Sequence, residues 1–119
     1  MKSTTLVLSL FAALAAALTA TLTNDELAAK IPPCAQGCLE NGYNAFGCSL
    51  TDYPCQCDNQ HDIFDIAMPC IDVTCTTQKE FELMAAATTW LCGAVAQQQN
   101  PEWTGPGMAD NLPPILLSP

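Results

Sequence analysis

The chain has 119 residues, half of them hydrophobic, with 12 acidic side chains against 3 basic ones and a formal charge of −9. A surface of this sign repels phosphate backbones and anionic bilayers and lacks the basic patch behind non-specific nucleic-acid binding, which excludes nucleic acid as a natural partner. The length suits one domain, near the size at which a hydrophobic core alone is marginally stable.

Residues 1–20 read as a secretory signal peptide. Lys2 gives the basic start, Leu6 to Leu18 the apolar run, and the small residues ending at Ala17 or Ala20 the expected cleavage site. The run falls short of the ~20 residues of a spanning helix, so the mature protein is expected to be secreted and extracellular, without a membrane span. It retains Lys30 and Lys79 as its basic residues and all of the acidic ones.

Residues 21–97 then form the expected domain. Thr23-Asn24-Asp25-Glu26 fits a capping box, which predicts a short helix from Asn24 to Lys30 that stops before Pro32-Pro33. A second helix carries Cys34 and Cys38 on one face, because positions four apart are neighbours, and is expected to stop near Asn41-Gly42. Asp52 precedes Tyr53-Pro54 and is suited to cap a helical turn there. Ile63, Ile66, Ala67 and Cys70, with Phe64, Met68 and Ile71 beside them, predict a third helix from Asp58 or Asn59. Thr77 and Glu80 form another capping box, opening the longest helix through Phe81, Met84, Ala85, Thr88, Cys92 and Val95.

Residues 98–119 are Pro- and Gly-rich and read as a flexible tail. The closing stretch Pro113 to Pro119 is too short and interrupted for the ~10–20-residue hydrophobic tail that directs a lipid-glycan anchor. With no period-two run of β-branched residues and no repeat, the fold class is small, all-α and disulfide-stapled.

Eight cysteines, Cys34, Cys38, Cys48, Cys55, Cys57, Cys70, Cys75 and Cys92, occupy this domain, and none lies outside it. Paired Cys-x2-Cys knuckles of a zinc site are absent, and an exported chain meets an oxidising environment, so four disulfides are expected, with the pairing open. The gaps between them run three, nine, six, one, twelve, four and sixteen residues, introduced by Pro32-Pro33-Cys34-Ala35-Gln36-Gly37-Cys38. This order, with Pro-x-Cys-Ala at its start and Cys55-Gln56-Cys57 in its middle, resembles the CFEM family of fungal extracellular proteins over approximately Ala28 to Val95. The final gap is slightly long for the family pattern. Plant lipid-transfer proteins and hydrophobins carry adjacent cysteine pairs, and this chain has none.

The resemblance implies a basket of helices held by four disulfides and, in haem-binding members, an apolar platform for ferric haem whose axial ligand is an aspartate shortly before the Cys-x-Cys. Asp52 occupies the matching position. A carboxylate is a hard anionic donor that favours Fe(III) over Fe(II), and its place between Cys48 and Cys55 would hold it in position before the ligand arrives. Candidates for apolar cover are Leu50, Tyr53, Ile63, Phe64, Met68 and Trp90. The lone histidine, His61, falls outside the matching segment and reads as an exposed polar residue of the third helix.

No enzyme is expected. The even cysteine count leaves no obvious free thiol, Gly-x-Ser-x-Gly is absent, and Asp62 with Asp65 reads as a solvated helix face. Two functions from different classes therefore stand: extracellular capture and relay of ferric haem, involving other CFEM proteins, and a secreted fungal effector that modulates host immunity by binding a host protein.

Overall fold

The computed structural model describes residues 22–105 and 112–117; the expected signal peptide lies outside them. Six helices are found among the described residues, and no strand: α1 (Asn24–Ala29), α2 (Pro33–Ala45), α3 (Tyr53–Asp58), α4 (Gln60–Thr74), α5 (Gln78–Gln99) and α6 (Pro114–Leu117).

Both expected capping boxes form. At α1 the Thr23 hydroxyl accepts from the Glu26 amide at 3.1 Å while the Glu26 carboxylate accepts from the Thr23 amide at 3.0 Å. At α5 Thr77 and Glu80 do the same at 3.2 and 3.1 Å. Each box satisfies two amides that a helix start otherwise leaves unpaired.

The second helix runs past its expected stop at Asn41-Gly42 and ends at Ala45. Gly42 is buried, and a Cβ there would lie 2.8 Å from Ile63 Cγ2 and 3.1 Å from the Ile63 carbonyl oxygen. Its role is the close approach of α2 to α4. The turn is made instead by Gly47, at φ +69°, a backbone region that side chains other than glycine's rarely enter. Gly42→Ala is expected to lower stability by about 1–2 kcal/mol, because overpacking outweighs the gain in helix propensity, as thermal unfolding would measure.

All eight cysteines pair, as Cys34–Cys75, Cys38–Cys70, Cys48–Cys55 and Cys57–Cys92. The first two join the start of α2 to the end of α4, so these helices run antiparallel. Thr74 reinforces that end, its hydroxyl lying 2.7 Å from the Cys34 carbonyl oxygen. Cys57–Cys92 ties α3 to α5, and Cys48–Cys55 closes the loop before α3. Between the helices lies one core of Leu27, Ile31, Ala35, Leu39, Ile63, Ala67, Ile71, Met84, Ala87 and Leu91.

Two features depart from the expected division into domain and flexible tail. The last long helix extends to Gln99, and the Gln98 and Asn24 side-chain amides exchange two hydrogen bonds of 3.0 Å, tying α5 to α1. Residues 114–117 form a helical turn against α5, with Leu116 wholly buried in the core. After Pro113-Pro114, Leu116 and the partly buried Ile115 dock this part of the tail by burial, while Leu117 stays exposed.

Candidate functional site

The segment between α2 and α3 is held at several points. Besides the Cys48–Cys55 bridge, the Ser49 carbonyl accepts both the Asp52 amide at 3.2 Å and the Gln56 side-chain amide at 2.8 Å. Among the described residues Gln56 is one of two buried polar ones, and sequence reasoning passed over it as the middle of Cys-x-Cys. Burial of an uncharged amide that must find a partner was the available signal.

Asp52 is exposed at the tip of this segment and caps α3. One carboxylate oxygen accepts the Cys55 amide, at a long 3.3 Å. Among the described residues no donor reaches the other oxygen. The expected cap and an open metal-ligating position therefore coexist on one side chain.

Around Asp52 the surface has apolar and aromatic character. Leu50 is 59% exposed, a large aliphatic side chain left in water two residues from the carboxylate. Leu50 and Tyr53 line a hollow of about 190 Å³ whose other walls include Ile31, Leu39, Tyr43 and Gln56. On the opposite side Thr51 and Tyr53 border a broader, shallow depression together with Asp25. Tyr53 thus stands between the two, and its hydroxyl donates to Asp25 at 2.5 Å, linking α3 to α1. Burial first, then the bond to Asp25 and the nearby negative charge, push the Tyr53 pKa up to about 12. The phenol therefore stays a donor throughout the physiological range. Burial likewise pushes the Tyr43 phenol up.

The remaining contact candidates do not line the hollow beside Leu50 and Tyr53. Ile63 is 2% exposed and belongs to the core, so it is withdrawn as a surface contact; its helix turns it toward α2 at Gly42. Phe64 is half-buried beside a smaller crevice that also touches Tyr43 and Gln56. Met68 and Trp90 are half-buried against the core and line neither depression. Ile63, Phe64 and Met68 pack in or against the core from one helix, and Trp90 does so from α5. His61 is 92% exposed, 3.7 Å from Asp65 one turn along α4.

No helix among the described residues is long and apolar enough to cross a membrane. The family model for the CFEM domain matches residues 27–93. No curated protein and no solved structure matches the chain.

Proposed function

Because the chain belongs to the CFEM family, we propose that it is a secreted, non-enzymatic binder of ferric haem, with Asp52 as the axial ligand of the iron, serving extracellular haem capture and relay. The observation that carries this reading is the Asp52 carboxylate: exposed, fixed by a crosslinked loop, and with one oxygen uncommitted. Its donor chemistry suits the group, since a hard anionic oxygen pairs with Fe(III). Leu50 and Tyr53 offer apolar and aromatic contact to a porphyrin beside it. At about 190 Å³ the hollow is smaller than the ~300–1,000 Å³ that encloses a drug-sized ligand, so haem would rest against this surface and not inside it. When bound, haem supplies the redox-active iron. The protein supplies the ligand, its fixed position and a dry contact face.

The test is an absorbance titration of the oxidised protein with hemin, beside an Asp52→Asn variant. Asn caps helices about as well as Asp, so that variant keeps its fold while losing the anionic ligand. A saturable Soret shift is expected for the wild type, with affinity at least about ten-fold lower in the variant. No Soret change at micromolar hemin, or equal binding by the variant, overturns the reading.

A second reading, an effector acting through contact with a host protein, is favoured by Ile66 and Val73, which are 45% and 76% exposed seven residues apart on α4. Under it, Asp52→Asn leaves the biological effect intact.

A further inference from the structure

A second concave site opens at the other end of α3 from Asp52. Its volume of about 370 Å³ falls within the range of small-molecule pockets, roughly 300–1,000 Å³. The Cys57–Cys92 bridge and the buried Gly93 belong to its lining. Around the rim stand Asp58, Gln60, Thr89, Gln99 and Trp103.

The tryptophan is placed by a defined turn. Its amide donates to the Asn100 carbonyl at 2.9 Å, and the Glu102 amide donates to the Asn100 side chain at 3.3 Å. This turn brings Trp103, half-buried, back over the end of α5. Gly105 lies against the six-membered ring of the indole, where a Cβ would come within 2.5 Å of Cζ2. The absence of a side chain at 105 is therefore what lets the ring keep this position.

The polar rim is unspent. Among the described residues, the side chains of Asp58, Gln60, Thr89 and Gln99 make no hydrogen bond within the protein. They present amide, hydroxyl and carboxylate groups, both donors and acceptors, toward a cleft with an aromatic wall. No Lys, Arg or His lines it, so phosphate, carboxylate or sulfate ligands find no countercharge there. A quaternary ammonium ligand would find the indole and one carboxylate but, with no N–H to donate, would leave the two glutamines and the threonine unpaired. A neutral ligand rich in hydroxyls uses the whole set, laying a C–H face on the indole and its hydroxyls against the amides and Asp58.

We propose that this cleft is a carbohydrate-binding site, taking a pyranose segment of a neutral oligosaccharide, independent of the Asp52 site. The experiment is isothermal calorimetry of the full secreted, oxidised protein with laminarihexaose and with chitohexaose, using tetramethylammonium as the cationic control. Saturable binding of at least one oligosaccharide is expected, with a Kd of roughly high-micromolar to millimolar size for so small a contact. Trp103→Ala is expected to weaken it about ten-fold or more, the loss of an aromatic stacking surface, and Trp103→Phe to recover most of that. Gln99→Ala, an exposed change at the end of α5, should weaken binding several-fold without touching the core. Asp52→Asn should bind the sugar as the wild type does, which keeps this result separate from the haem titration. No heat from either oligosaccharide at millimolar concentration, unchanged affinity in Trp103→Ala, or binding of tetramethylammonium alone overturns the proposal.

Discussion

Thiol reduction in native buffer is expected to unfold the domain, and removal of single bridges should follow loop topology and not bridge count. Closing a loop of 41 residues, as Cys34–Cys75 does, removes unfolded-chain entropy equivalent to about 4 kcal/mol, whereas the 7-residue loop of Cys48–Cys55 is equivalent to about 2.5 kcal/mol. Cys38–Cys70 spans 32 residues but lies inside Cys34–Cys75, and the two separations differ by nine. With the outer bridge in place, the inner one closes in effect a loop of only those nine residues, worth about 2.5 kcal/mol. Cys57–Cys92, spanning 35 residues between other elements, has no such partner. A Cys38→Ala/Cys70→Ala protein should therefore lose less stability in denaturant titrations than a Cys57→Ala/Cys92→Ala protein, despite similar loop lengths. Loss of all four bridges removes an amount comparable to the ~5–15 kcal/mol net stability of an ordinary domain, and far-UV circular dichroism should then report a largely unfolded chain. A reduced protein that keeps its native spectrum and cooperative melting contradicts this account.

The second large effect follows from the proposed haem site and concerns the oxidation state of the iron. A carboxylate next to ferric haem faces a centre of opposite charge, and one-electron reduction removes that charge while softening the metal. Losing a charge–charge attraction at such short range is worth on the order of several kcal/mol. Reduction with dithionite should accordingly lower the affinity of the wild type by at least about a hundredfold, seen as transfer of haem to an acceptor such as apomyoglobin. An imidazole ligates both oxidation states, so Asp52→His is expected to retain haem after reduction. Circular dichroism on the same samples checks that the disulfides have survived. If wild type and Asp52→His release haem equally upon reduction, Asp52 is not the ligand.

Much of the scaffold was legible because its signals are local. Two capping boxes depend on residues three apart, and both formed with the predicted partners. The α3 cap at Asp52 was readable for the same reason, and the start of α4, expected near Asp58 or Asn59, from apolar periodicity. Gly42 was misread as a helix stop because a glycine required by a neighbouring helix looks, in sequence, like one required by a turn. Only tertiary contact with Ile63 separates the two cases. The docked turn at Leu116 was likewise hidden, since a Pro-rich surrounding says nothing about whether Ile115 and Leu116 find a core to cover. At the candidate site, the position of Asp52 came from family resemblance, while its uncommitted oxygen and the supporting Gln56–Ser49 bond needed coordinates. Ile63 was offered as apolar cover for a ligand, and an apolar residue in sequence does not say whether a ligand or a neighbouring helix covers it. Trp103 drew no notice in a stretch read as tail, because the turn that swings it back is set by a side chain three residues away.

The α3 helix has only six residues, yet one cystine leaves it from Cys55 and another from Cys57. Anchored twice, it has almost no freedom to hinge, and neither the carboxylate at one end nor the cleft at the other can be shut behind a guest by moving it. Residence times at such open berths are set by the contacts themselves, without a gate to wait for. For a carrier this favours prompt hand-over on collision with a stronger acceptor, at the expense of long-term storage.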